Sequence, residues 1–299
     1  MKDKAYLVVG GDSLVGGSLL LALKEHGHRA YSTTRRADTL SPKRIMLDFE
    51  KYQEFTLPGD VDFIFVVAAA TNYERCERDP LAHQINVELI PRFVEEQLRH
   101  GLFVAFVSTN SVFGGERPWP AEDDPHSPGI PYAQQKSQAE AAMHAAATKL
   151  SAEKQLAVVR LTKILDLATS PLPNWFAAWD RGESIQPFED LIFAPMSAQF
   201  VGRALAVLGE KRIPGNLHLS GADNVSYVTF AQALAKSTGI SSTPISPTTA
   251  VEKGIHIAFK PTYSGLGMGR TTKLSGILPQ ALDSVIADLM AEKQFKKDL

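Results

Sequence analysis

At 299 residues, with 44% hydrophobic and 21% charged side chains, the chain has the make-up of an ordinary globular protein, long enough for one large domain or two that share a core. A formal net charge of −2 gives no reason to expect nucleic acid or an anionic membrane surface as a partner. The single cysteine, Cys76, excludes an internal disulfide and a thiolate zinc cluster, and the histidines show no HExxH or comparable spacing, so no metal is expected.

Met1 leads directly into Ala5–Val9, a compact apolar run that fits a buried strand. No leader-type apolar region precedes it, and no apolar run reaches bilayer-spanning length, so a cytoplasmic protein is expected. Residues 14–23 repeat at helical spacing, and Arg29–Thr34 and 44–47 read as short strands. Residues 62–68 and 102–108 are near-continuous apolar runs, as central parallel strands buried on both faces require. Between them, residues 80–100 read as a helix that Pro91 kinks or divides. Residues 132–151, rich in Ala, Gln, Glu and Lys, form the strongest predicted helix, and 155–161 a further strand. This alternation predicts an α/β fold: a doubly wound parallel sheet of the Rossmann type, covered by helices on both faces. Beyond residue 168 the pattern changes to short elements, with amphipathic helices at 198–208, 229–236 and 282–290. The expected division is a cofactor domain over 1–168 and a smaller substrate-binding region over 169–299, part of it free to return to the main sheet.

Behind the first strand stands Gly10-Gly11-Asp12-Ser13-Leu14-Val15-Gly16, followed by a helix. Gly10 allows a tight turn, Gly16 lets the helix lie close to the sheet, and the free amides at the helix start suit a pyrophosphate. Ser13 takes the place of a middle glycine, and its hydroxyl is a candidate phosphate ligand. A plain strand–helix turn uses glycines too, but the strand–turn–helix context favours a cofactor. Folds that prefer NAD carry an acid about 20 residues further on; here Thr33-Thr34-Arg35-Arg36 offers two guanidiniums and no carboxylate, which favours the 2′-phosphate of NADP(H). Asp48, closing the next strand, is either an acceptor for the adenine amino group or an ordinary loop carboxylate.

Tyr132 and Lys136 stand four residues apart, on one helix face, with Pro131 marking the helix start. A cation and the positive helix end would both bring the phenol below its usual pKa of about 10, towards working pH. The pair follows the strand that ends in Ser108-Thr109-Asn110, on the side where such sheets bind ligands, so Thr109 is placed to hold the oxygen that Tyr132 protonates. Ala68, Ala69, Ala70 and Thr71 end the central strand with small side chains, as close approach of a cofactor or a tight turn would require. Asn86 sits in a predicted helix interior, where Asn is disfavoured, and is either a group that bonds across to the active-site strand or a partly exposed polar position. Trp175, Phe176 and Trp179 are either the roof of a cleft or core aromatics at helical spacing.

Taken together these segments resemble the extended short-chain dehydrogenase/reductase superfamily, and within it the dTDP-4-dehydrorhamnose reductase (RmlD-like) family. The resemblance runs from VVGGDSLVGG at the first turn, through AAATNYERCERDPLAHQINVE, STNSVFGG and PYAQQKSQAE, to VVRLTKIL and GNLHLSG. It implies Thr109, Tyr132 and Lys136 as catalytic residues, and cofactor contacts at Ser13, Leu14, Val15, Asp48, Ala69, Ala70 and Thr71. It also implies a nucleotide-sugar substrate beside Asn110 and Lys163, with Asn86 a further candidate contact on the residue reading above, and it leaves a homodimer open. Asn110 and Ser111 replace the family's Asp and Tyr, Lys163 replaces an aromatic residue beside the sugar nucleotide, and Gly265 replaces an Arg. The expected activity is NADPH-dependent reduction of a keto-sugar nucleotide. An epimerase or dehydratase with the same trio, and a non-catalytic NADP-binding regulatory subunit, are the alternatives.

Overall fold

Runs of Val, Ile, Leu and Phe without polar alternation can be satisfied only between two covering layers. In the computed structural model, which describes residues 5–239 and 245–297, they form the middle of such a sandwich. The strands of the first half are β1 (Ala5–Val9), β2 (Arg29–Thr34), β3 (Arg44–Met46), β4 (Val61–Val66), β5 (Phe103–Thr109) and β6 (Leu156–Leu161). Those of the second half are β7 (Lys163–Leu165), β8 (Ile192–Phe193), β9 (Pro195–Ser197), β10 (Gly215–Leu219) and β11 (Val225–Ser226). Seven of them make one parallel sheet in the order β10-β6-β5-β4-β1-β2-β3. The order reverses between β1 and β4, so a crevice opens at their carboxyl ends.

The helices are α1 (Leu14–Glu25), α2 (Tyr73–Arg78), α3 (Pro80–Gln84), α4 (Ile90–Arg99) and α5 (Pro131–Lys149), then α6 (Leu172–Asp180), α7 (Ala198–Lys211), α8 (Tyr227–Ser237), α9 (Gly269–Ser275) and α10 (Leu282–Lys297). One apolar layer lies between the sheet and α4 and α5, through Phe93, Val94, Ala139 and Met143. The other lies under α1 and α7, through Leu19, Leu23, Val201 and Leu205. Gly202 makes that second layer thin, since a Cβ there would sit 2.4 Å from the Ser18 carbonyl oxygen. At the edge of the same layer His26 Nδ1 and His28 Nε2 lie 2.9 and 2.7 Å from Glu210 Oε1 and tie α1 and β2 to α7.

Pro91 does not divide the long helix. Lacking an N–H and crowding the turn before it, it is accommodated by a π turn at Ile85–Leu89, where Ile90 N bonds Ile85 O, and α3 runs through this turn into α4. The second half of the chain is shared between two bodies. β10 extends the main sheet beside β6, whereas α6, α8 and α10 with β8 and β11 enclose a separate core around Trp175, Trp179, Phe193 and Phe230. Trp175 and Trp179 are core residues there and roof nothing. Among the described residues no helix is long and apolar enough to cross a membrane.

Candidate active site

Two adjoining cavities follow the carboxyl edge of the sheet. The larger, about 660 Å³, lies between the end of β5, the start of α5, the turn into α1 and the second body. The smaller, about 310 Å³, lies over the ends of β1, β2 and β4.

The smaller cavity is shaped by the glycine turn. Gly10 has φ +96°, and a Cβ on it would come within 2.8 Å of Ala68 N, so only glycine lets the chain turn this tightly beside β4. Gly16 has a different task from the expected ligand contact. It lines neither cavity, and a Cβ there would sit 2.3 Å from Gly10 O, so it closes the turn onto the helix. Ser13 is also reassigned, because its hydroxyl accepts from Gly16 N at 3.0 Å and donates to Gly10 O at 2.8 Å as the helix N-cap. That leaves the early amides of α1, at Leu14 and Val15 on the wall of the larger cavity, as the groups open to a phosphate.

At the end of β2 the two arginines part company. Arg35 lines the smaller cavity with Thr33, Thr34 and Asp48, and Asp48 also accepts from Glu50 N at 3.2 Å to cap the next turn. Arg36 does not line it and instead donates to Asp12 Oδ1 at 3.0 Å. The same carboxylate receives Arg44 and the Thr34 hydroxyl, the latter at 2.6 Å. Burial pushes the Asp12 carboxyl up, but Thr34, Arg36 and Arg44 together hold it below the usual range. Asp12 is therefore a hub for cations, with Arg44 Nε buried and unpartnered among the described residues.

Ala69 and Thr71 line both cavities, and Ala70 the smaller. Ala70 is held by Asn86, whose Oδ1 accepts from Ala70 N and whose Nδ2 donates to Ala70 O, both at 2.9 Å. The same Nδ2 reaches Gln135 Oε1 on α5 at 2.9 Å, and Gln135 donates to Cys76 O at 2.7 Å. Asn86 is 1% exposed and lines neither cavity, so the expected substrate contact is not there. Its place on the π turn makes it a clamp between the cofactor loop and α5.

The three expected catalytic residues do come together. Thr109, Tyr132 and Lys136 all line the larger cavity. Thr109 ends β5 beside Tyr132, whose phenol pKa it acts to lower, while Ser111 N donates to its Oγ1 at 3.2 Å. Tyr132 packs its ring 5.3 Å from that of Tyr73, which also lines the cavity. Lys136 Nζ donates to Val107 O at 2.8 Å and stands 3.8 Å over the Phe106 ring. The electrostatics differ from the sequence expectation. Burial, followed by Tyr73 and Cys76, pushes the Tyr132 phenol up from its ordinary value against the opposing effect of Thr109, and Lys136 is not among the groups acting on it. Burial lowers Lys136 to about 7, against the opposing pull of Glu140. With its pKa near 7, the amine is only partly charged at neutral pH and so does little to draw the phenol down.

Behind the trio, Glu140 accepts from Arg160 Nε and Nη2 at 3.0 and 2.7 Å and from the Ser108 hydroxyl, all of them buried. Arg160 Nη1 in turn donates to Glu122 O at 2.9 Å and to His218 Nε2 at 3.1 Å. Asn110 lines the cavity, but its amide nitrogen donates to Ser264 O and Oγ at 2.9 and 3.0 Å and fastens the strand end to the C-terminal segment. Lys163 faces the cavity, as expected. Ile257, Phe259 and Pro261, together with Leu191, Ile192 and Phe193, complete the wall. Sequence reasoning singled out none of these six as site residues, and the nearest signal was the replacement of the family's Arg by Gly265, four residues beyond Pro261.

Against known proteins, the RmlD substrate binding domain family matches residues 4–295. The chain belongs to that family. It is 24% identical over 291 residues to the spore coat polysaccharide biosynthesis protein SpsK of Bacillus subtilis (strain 168), covering 96% of this chain and 97% of that protein. Its fold superposes on the dTDP-4-dehydrorhamnose reductase of Clostridium acetobutylicum with a TM-score of 0.79 at 19% identity, over 97% and 99% of the two chains. On MoeE5, solved with UDP-glucuronic acid and NAD, it superposes with a TM-score of 0.80 at 21% identity, over 98% and 99%.

Proposed function

We propose that the protein is an NADPH-dependent reductase of a keto-sugar nucleotide, similar in activity to the dTDP-4-dehydrorhamnose reductases. The observation that carries this reading is the meeting of Thr109, Tyr132 and Lys136 in a cavity that Ser13, Leu14 and Val15 also line. The cofactor fits this chain on two counts. The Gly10 and Gly16 turn, which no Cβ would fit, brings the first amides of α1 to the cavity wall, and Arg35 lines the smaller cavity while Arg36 and Arg44 both bond the Asp12 carboxylate beside it. Arg35, with Arg36 and Arg44 behind it, would hold the 2′-phosphate; Leu14 and Val15 would offer amides to the pyrophosphate; Asp48 would face the adenine.

When bound, NADPH supplies hydride. Thr109 orients the substrate carbonyl through its hydroxyl, beside Tyr132. Tyr132 gives the proton to the carbonyl oxygen, and a phenol pushed up by burial is held in the protonated form this step needs. Lys136, with a pKa near neutrality in its buried position, would hold the nicotinamide ribose and share the proton that Tyr132 must regain. Asn86 and Gln135 act as positioning residues that fix α5 against the cofactor loop.

The test is Tyr132→Phe, assayed by NADPH consumption over a panel of keto-sugar nucleotides. Turnover is expected to fall by about 10²- to 10⁴-fold while NADPH still binds. Undiminished turnover refutes the proton donor, and turnover of sugar nucleotide without net NADPH consumption refutes the reductase.

A further inference from the structure

The larger cavity is one-sided in charge. Its wall includes Lys136, Lys163 and Lys260 and no aspartate or glutamate. Two of the three lysines are engaged: Lys136 on the Val107 carbonyl, and Lys260 on Asp190 Oδ2 at 2.6 Å. Lys163 makes no hydrogen bond or ion pair among the described residues. The protein around it pushes its ammonium down, with no carboxylate to hold it up. Lys163 stands exposed on the cavity wall and is solvated there, and a ligand that displaces that water leaves the cation uncompensated unless it brings an anion of its own.

The strands say where that anion sits. Leu161 at the end of β6 pairs with Thr109, and Lys163 opens β7 two residues later, paired with Pro195. A two-residue advance is roughly 6.6 Å, about the length of a lysine side chain. Lys163 therefore reaches groups on the ring whose carbonyl Thr109 and Tyr132 would hold, and the apolar Ile192 and Phe193 nearby give it no competing partner.

We infer that the substrate is an acidic sugar nucleotide, with a carboxylate on the sugar ring held by Lys163. This rests on the sugar-nucleotide reading above. The test is isothermal titration of the full-length protein with UDP-glucose, UDP-glucuronic acid, dTDP-glucose and dTDP-glucuronic acid. In at least one nucleotide series the uronic acid is expected to bind about tenfold or more tightly than the hexose, as a charge-assisted contact allows. In Lys163→Met that preference is expected to disappear with hexose affinity kept, and in Lys163→Arg to persist. Equal affinity within both pairs overturns the inference, as does a preference that survives Lys163→Met. Equal weakening of both members in Lys163→Met also overturns it, because the cation then serves the diphosphate. Binding of NADPH without binding of any of the four sugar nucleotides removes the sugar-nucleotide reading itself, an outcome distinct from the others.

Discussion

Replacing Lys136 by methionine is expected to make the protein more stable and less active, and the two effects can be read separately. Lys136 is 2% exposed, and burial brings its pKa from the ordinary 10.5 to about 7, with Glu140 opposing. The folded state then binds this proton more weakly than the unfolded chain, so stability rises with pH from about 7 to 10.5. Below pH 7 the full cost is present. At about 1.4 kcal/mol for each tenfold change in proton affinity, the cost is about 5 kcal/mol. Against this, Lys136→Met leaves the Val107 carbonyl without its donor, a loss of about 1–3 kcal/mol. The variant should therefore be about 2–4 kcal/mol more stable at pH 6, with the gain gone or reversed by pH 10. Urea unfolding followed by the fluorescence of the buried Trp175 and Trp179, at pH 6, 8 and 10, measures this directly. NADPH consumption by the same variant should fall by about a hundredfold or more. A wild-type protein at least as stable as the variant at pH 6, or a stability difference that does not change with pH, refutes the reasoning.

Asn86→Leu removes the partner of Ala70 N, Ala70 O and Gln135 Oε1, all buried. At about 1–3 kcal/mol for each orphaned group, with Gln135 free to turn, a loss of about 3–5 kcal/mol in urea unfolding is expected. NADPH affinity should weaken as the Ala70 loop loosens, and a variant of unchanged stability refutes the clamp. Arg35→Ala should raise the Kd for NADPH about tenfold or more and that for NADH by less than threefold, because only the former carries the 2′-phosphate. Parallel changes in fluorescence titrations with the two cofactors would place that phosphate elsewhere.

The parts of the fold that were legible in the sequence are those set by local physics. Ala5–Val9 and 102–108 are apolar without alternation because both faces are covered, and Gly10 stands where a turn demands positive φ. Tyr132 and Lys136 were legible together because four residues on a helix make one face, and Thr109 because a strand end fixes its place. The missed features are pairings across the chain. Asn86 in a helix interior was the right signal with the wrong partner, since a π turn hands its amide to Ala70 rather than to a ligand. The Tyr132 pKa moved the other way because helical spacing predicts that Lys136 is near and says nothing of how dry its surroundings are. Arg36 and Arg35 looked equivalent until Asp12, on the preceding turn, took one of them.

The departures from the family pattern follow the same logic, for each is one half of a pair. Gly265 stands where the family has Arg, and a Cβ there would fall 2.2 Å from the Trp119 ring, so the indole fills the space a side chain would need. Asn110, in place of Asp, donates its amide to Ser264 one residue before that glycine, a bond that a carboxylate would meet with oxygen facing oxygen at the Ser264 carbonyl. These two changes support each other: strand end, C-terminal segment and Trp119 are fastened into one wall by contacts within the protein. Lys163 is the exception, a substituted residue facing the same cavity whose partner is not found among the described side chains. An internal explanation serves for Asn110 and Gly265, whereas Lys163 points to the ligand as the source of its counter-charge.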